Sequence, residues 1–229
     1  MKNSRKLMGL ALACASLLSL QSCLKDNPSD RIYPALVTID SDESGTTFQL
    51  NDSTVIKPTN IRSNLYKGKS VRALINFTVD NVSVLEKPEF EAKICTIDTI
   101  RTKKSVPDLG ERNDEVYGHD RLDIINDWVC VGEDGYLTLR IRTFRYDDSK
   151  LHYVNLVRIE NDKDGDKEYT FELRHDASGD IYGYQTDGLI AFDLNELAPE
   201  DRSPVTLHLR WAGFTEDKSV NCKLSFRKK

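Results

Sequence analysis

Between Tyr136 and Phe144 the sequence reads YLTLRIRTF, with Leu137, Leu139 and Ile141 alternating against Thr138, Arg140 and Arg142. The same period of two recurs in Val205, Leu207, Leu209 and Trp211 against Thr206, His208 and Arg210. Successive side chains of a strand point to opposite faces, so this pattern puts one face in a core and the other in water. An antiparallel sheet covered on one side meets that requirement. Further strand-like runs are WVCV (128–131), LHYVNLVRI (151–159), EYTFELRH (168–175), YGYQTDGLIAFDL (182–194) and KLSFRK (223–228). The turn-rich segments GEDGY, YDDSK, NDKDGDKE and DASGD fall between them, where hairpins need them. About seven short strands with such turns predict a β-sandwich over residues 116–229. Only LNELAPED (194–201) reads as a helical turn, and no amphipathic helix or internal repeat is visible.

The first half is also β-rich. ALVTID (35–40), TTFQL (46–50), TVIK (54–57), VRALINFTV (71–79) and FEAKICTIDTI (90–100) make about five strands within residues 35–110. A small closed barrel buries such a set. The polar stretch KKSVPDLGERNDE (103–115) reads as a domain boundary. The fold class is therefore all-β, a small barrel followed by an antiparallel sandwich.

Ahead of the barrel, residues 1–22 carry Lys2, Arg5 and Lys6, then an apolar run from Leu7 to Leu20. That run is short of the roughly 20 residues of a membrane-spanning helix and has the layout of a signal peptide. Leu20-Gln21-Ser22-Cys23 resembles the lipobox of bacterial lipoproteins, with Gln21 departing from the commonest pattern. That resemblance implies cleavage before Cys23, acylation of its thiol and amine, and a polar tether over residues 23–34. Several acyl chains on one residue hold a protein to a membrane far more firmly than a single chain does. The expected location is the cell envelope, on the outer membrane, with periplasmic and surface leaflets both open.

The whole chain has 32 Lys+Arg and 37 Asp+Glu, and its first 22 residues hold three bases and no acids, which leaves 29 against 37, a net charge of −8. The excess acid lies entirely beyond residue 110. Nucleic-acid binding draws its affinity from Lys and Arg and is disfavoured by both charge and compartment. Of the cysteines left after processing, Cys95, Cys130 and Cys222, none has metal-type spacing. An oxidising envelope permits a Cys130–Cys222 bridge, whereas burial as small apolar side chains accounts for all three.

No cofactor, metal or catalytic residue emerges. His119, His152, His175 and His208 form no metal motif. RHDASGD brings His175, Asp176 and Ser178 close in sequence, but a triad is defined by converging geometry, and a capped turn explains the same string. Asp162, Asp164 and Asp166 suggest calcium, yet Gly165 sits between the second and third Asp, where an EF-hand loop wants its Gly after the third. Trp128, Tyr136, Phe144, Tyr153, Phe171, Phe192, Trp211 and Phe226 lie in strands and are expected in the core. Tyr146, Tyr182 and Tyr184 lie near turns and, with Asp162, Asp164 and Asp180, form a candidate binding rim.

The lipobox, PALVTID…FQLNDSTVIKPTN, VRALINFTV, NDWVCVGEDGYLTL, HYVNLV, FELRHDASGD and GLIAFDL follow one another as in the NigD-like lipoproteins of the Bacteroidota, which the chain resembles over nearly its whole mature length. The resemblance implies an N-terminal OB-like barrel, a C-terminal β-sandwich and an immunity or accessory role beside bacteriocins. It assigns no catalytic residues. Three functions follow: a non-enzymatic envelope lipoprotein binding a protein or glycan partner, a toxin-immunity or sequestration protein, and a hydrolase whose site is assembled from distant strands. Anchoring has a direct test. Cys23→Ala is expected to move the protein from membranes to a soluble fraction, or to leave it unprocessed. A processed, membrane-bound variant in fractionated cells would refute the lipid anchor.

Overall fold

The computed structural model describes residues 31–61, 64–159 and 167–228. The signal, Cys23 and most of its tether, and Asp162 and Asp164, lie outside the described residues. Among the described residues no helix is long and apolar enough to cross a membrane.

Five strands close the first unit: β1 (Tyr33–Asp42), β2 (Gly45–Gln49), β3 (Val55–Pro58), β4 (Val71–Thr78) and β5 (Glu89–Thr99), in the spatial order β1-β2-β3-β5-β4. That closed order is the OB-like barrel the family resemblance implies. Its interior takes one face of each strand: Val37 and Ile39, Phe48, Ile56, Ala73 with Ile75 and Phe77, and Phe90 with Ala92 and Ile94. The alternation read in VRALINFTV is thus the barrel's inside face.

The second unit is one ten-stranded sheet curled on itself. Along it run β6 (Arg101–Lys104), β13 (Tyr184–Asp193), β10 (Tyr136–Arg145), β9 (Val131–Glu133), β15 (Asp217–Leu224), β14 (Val205–Ala212), β12 (Glu168–Asp176), β11 (Tyr153–Ile159) and β7 (Val106–Pro107), with β8 (Asp123–Ile124) added to β10. The period-two faces point inward as the sequence indicates, with Leu137, Leu139, Ile141, Val205, Leu207, Leu209 and Trp211 in one core with Phe171, Phe192 and Phe226.

Several details depart from the sequence reading. The polar stretch 103–115 is no plain linker. β6 pairs parallel to β13, β7 pairs parallel to β11, and a five-residue helix, Asn113–Tyr117, follows. One short segment therefore supplies both edges of the curled sheet and joins them through Ser105. The final strand ends at Leu224 and so begins earlier than KLSFRK suggests. Trp128 sits exposed in a turn, and Tyr153 is exposed on an outer strand, so neither is core. Cys95, Cys130 and Cys222 are all free. Cys95 is exposed on β5, Cys130 Sγ meets the Ile125 carbonyl at 2.9 Å, and burial pushes the half-buried Cys222 thiol up.

The two units meet across polar anchors and a small apolar seam of Leu36, Ile100 and Ala191, flanked by Leu74, Val131 and Leu189. Arg72 belongs to the face of β4 that alternation assigns to water, yet it is 0% exposed. The sandwich covers that face. The Arg72 guanidinium donates to Thr38 Oγ1 of the barrel (3.1 Å), and to Thr138 Oγ1 (3.3 Å) and Glu133 Oε1 (2.5 Å) of the sandwich. It also lies 5.8 Å from the centre of the Tyr136 ring. Burial raises the Glu133 carboxyl above its ordinary range, an effect that Arg72 opposes. A second anchor is Arg227, which donates to Asp134 (2.9 and 2.7 Å) and to Asp40 of β1 (2.6 Å). Removing one partner of a buried pair strands the other, at a cost of about 3–5 kcal/mol. Arg72→Ala is therefore expected to lower stability by about 3 kcal/mol, toward the low end because Glu133 keeps some solvent contact. Arg72→Met combined with Glu133→Gln should lose clearly less in urea unfolding.

Candidate functional site

Two loops that cross between unpaired strands lie side by side at one end of the sandwich, so YDDSK and DASGD close no hairpin, contrary to the sequence reading. The register explains why: β10 pairs with β13 up to Arg145 opposite Tyr184, and β11 pairs with β12 starting from Tyr153 opposite Asp176. The β10–β11 turn (146–152) and the β12–β13 turn (177–183) therefore leave the same edge together. Tyr146 and Tyr182 are 81% and 75% exposed, and Tyr184, Tyr153, Leu151 and Ile181 are exposed around them. This is an aromatic rim, and the three tyrosines that the sequence singles out belong to it.

Asp180 is not on the rim but beneath it, 4% exposed. Its carboxylate accepts the backbone N–H groups of Tyr146 (3.0 and 3.2 Å) and Asp147 (3.3 Å to each oxygen). It also meets His152 Nε2 at 3.3 Å, and His152 Nδ1 meets His175 Nε2 at 3.0 Å. A carboxylate only accepts, so His152 donates from Nε2 and accepts at Nδ1, and His175 donates from Nε2. That assignment follows from the hydrogen-bond pattern. His175 Nδ1 is buried without a well-formed hydrogen bond, and the backbone carbonyl of Arg121 acts on the ring. Other bonds stiffen the rim. Tyr184 donates its hydroxyl to Asp148 (3.0 Å), Arg145 donates to the carbonyls of Asp148 (3.2 Å) and Lys150 (3.1 Å), and Ser178 Oγ donates to the Leu151 carbonyl (2.8 Å). Gly183 has φ +104°, and a Cβ there would lie 2.3 Å from the Arg145 carbonyl oxygen, so the turn requires glycine.

The string RHDASGD thus serves as a turn. Ser178 bonds to Leu151 and caps on Asp176 (2.8 Å), while His175 turns inward to His152. Among the described residues no three His, Cys, Asp or Glu side chains converge as metal ligands. Sequence reasoning missed the His152–His175 pair. Its signal was the β11–β12 register, which sets Val154 opposite His175 and brings the preceding His152 alongside. What the arrangement offers is a rigid, exposed aromatic surface on a buried polar base. Tyrosine gives large contact area at small entropic cost, which suits recognition.

The family of NigD-like C-terminal β-sandwich domains matches residues 104–224. No curated protein matches the chain. Among solved structures, a protein of Parabacteroides distasonis described as toxin-related is similar at 27% identity and TM-score 0.69, over 85% of this chain and 94% of its own. A NigD-like immunity protein of Bacteroides caccae is similar at 16% identity and TM-score 0.61, over 83% of this chain and 92% of its own. A Bacteroides vulgatus protein of unknown function is similar at 18% identity and TM-score 0.65, over 87% and 92%. The last two likenesses concern the fold alone.

The buried base makes stability depend on pH. Burial, and then the neighbouring His152, hold the His175 imidazole below its ordinary value, against the opposing pull of the Arg121 backbone carbonyl and then of Asp120 and Asp176. The unfolded chain protonates there near pH 6.5 while the native chain does not, so stability falls as pH drops below about 6.5 and levels off past the lowered native value. Burial alone would raise the Asp180 carboxyl, but His152 and the two backbone N–H groups hold it low. Its contribution is present above the ordinary carboxylate range and is lost only at more acidic pH, as pH falls through that lowered value. The wild type is expected to lose at most about 1.4 kcal/mol per pH unit through His175 between pH 6.5 and 5. His175→Phe should flatten that limb in denaturant titrations, and an unchanged slope would refute the assignment.

Proposed function

The chain belongs to the NigD-like family, and on that premise we propose that it is a lipid-anchored envelope protein that binds a secreted protein toxin, in an immunity or sequestration role. It acts by recognition rather than by chemistry. The observation that carries this is the rim of Tyr146, Tyr182 and Tyr184, exposed above a base of Asp180, His152 and His175 that fixes the backbone of the β10–β11 turn. Family membership and the toxin-related relative of Parabacteroides distasonis point to a toxin ahead of a glycan. The expected anchor at Cys23 and the tether before residue 35 place the rim in the envelope, where a secreted toxin arrives. The acidic side chains Asp147 and Asp148 at the rim favour a basic face on that partner, and the contact should weaken with salt.

Truncating a central aromatic at an interface costs about 2 kcal/mol or more, roughly 30-fold in affinity. Deleting the gene is expected to sensitise cells to bacteriocin-containing supernatants of kin strains, and the wild-type gene should restore resistance. Tyr146→Ala with Tyr182→Ala should fail to restore it while reaching wild-type levels in the envelope. Full protection by that variant, or turnover of a peptide or glycan abolished by His175→Phe, would overturn the proposal.

A further inference from the structure

The sandwich core is left unfilled at one end. Residues opposite one another in an antiparallel pair share a face. The inward pairs of β10 and β13 run Leu137–Phe192, Leu139–Ile190, Ile141–Gly188 and Thr143–Thr186, from large and apolar to small and polar. The space that remains is a cleft of about 210 Å³ lined by Ile141, Thr143, Thr186, Gly188 and Val154, with Arg101 and Lys103 beside them. Gly188 is not demanded by its backbone. Its φ lies outside the left-handed region, and a Cβ there would meet nothing within 4 Å. The cleft is open because a side chain that the fold would accept is missing.

It also runs along a bare sheet edge. β10 covers one side of β13 from Tyr184 to Asp193, whereas β6 covers the other only from Ile190 to Asp193. Among the described residues no strand pairs with the outer edge of Tyr184–Leu189. Across the cleft, β11 meets β7 only at Val157 and Arg158, and Lys103 Nζ donates to the Val154 carbonyl (2.7 Å) and Asn155 Oδ1 (2.5 Å). Unpaired N–H and C=O groups on an edge are a template for another strand.

The charges at the cleft are one-sided. Its lining carboxylate, Asp187, is already taken by Arg142 through both oxygens (2.6 and 2.9 Å). Lys103 donates to neutral oxygens, and burial followed by repulsion from Arg101 holds its ammonium below the ordinary range. In a chain with excess acid, two cations beside an open cleft with no carboxylate partner among the described residues are the unusual feature. The volume is smaller than the roughly 300–1,000 Å³ of small-molecule pockets and suits one or two side chains of a strand.

We propose that this cleft receives an extended segment of a partner protein, which adds as a strand to β13 at Tyr184–Leu189 and sets a carboxylate against Lys103 and Arg101. Main-chain bonds supply affinity in strand addition, and the pocket supplies the side-chain preference. The site borders the rim, with which it shares Tyr184, Tyr153 and His152, but Tyr146 and Tyr182 do not line it, and it goes beyond the toxin-binding reading.

The probe is the acetylated and amidated heptapeptide Thr-Val-Thr-Glu-Thr-Val-Thr, titrated to millimolar concentration against the full chain in detergent, with amide hydrogen exchange as the readout. Slowed exchange is expected within Tyr184–Leu189, and the analogue with Lys in place of Glu should bind at least tenfold more weakly. Gly188→Val, which fills the cleft, and the exposed Arg101→Gln should each weaken binding at least tenfold while unfolding like the wild type. Tyr146→Ala should leave it unchanged. Absence of protection at Tyr184–Leu189, or equal affinity for Gly188→Val and Arg101→Gln as for the wild type, would overturn the proposal. Peptide binding in a protein whose rim variants still protect cells would instead sink the toxin-binding reading and leave this one standing.

Discussion

The contact on which the two-part architecture depends is the fully buried guanidinium of Arg72. A charge taken out of water is tolerable only when its donors are matched, and here the partners come from both units: Thr38 in the barrel, Thr138 and Glu133 in the sandwich. Arg227 repeats the arrangement with Asp40 on one side and Asp134 on the other. The apolar seam between the units is small, so directional bonds rather than area fix their relative placement. That placement keeps the barrel on the outer face of β13 and leaves the far end of the sandwich, with its tyrosine rim, clear.

Much of the fold is legible in the sequence because period two is a local property. All five barrel strands and the strands at 136–145, 153–159, 168–176, 184–193 and 205–212 follow from alternation and turn residues. What was not legible is whatever depends on a covering surface elsewhere. Arg72 and Thr138 look like solvent-facing residues of amphipathic strands until a second unit covers that face. The two-to-four-residue strands β6, β7 and β8 are too short to show any period, and two of them pair with partners distant in sequence. Trp128 and Tyr153 look like core by residue type and are exposed.

The rim was legible in part for a related reason. Tyr146, Tyr182 and Tyr184 sit beside Gly- and Asp-rich turns, and turns face water. Asp180 has the same composition signal, yet it is buried because two backbone N–H groups of the neighbouring turn and the His152 ring satisfy it. Nothing in residue type separates a carboxylate that caps a neighbouring turn from one that faces solvent. Only the juxtaposition of two crossing loops, set by strand registers, tells them apart.

The segment from Arg101 to Pro107, which lies along both edges of the sandwich sheet, has a consequence for how the molecule is made. Its strand partners β13 and β11 are synthesised long after it, so until they follow it has nothing to pair with. Contacts between residues far apart in sequence form slowly, because a large loop must be closed before any gain is realised. The barrel, whose strands are near neighbours, can close first. The sandwich sheet then has to curl around a strip that is already tied to the barrel at Ile100, whose N–H bonds to the Arg72 carbonyl. The strip acts as a zip fastener that is threaded first and closed last. A chain stalled before β13 would expose the unpaired edges most prone to aggregation, so the demand for chaperoning falls on the second half of biogenesis.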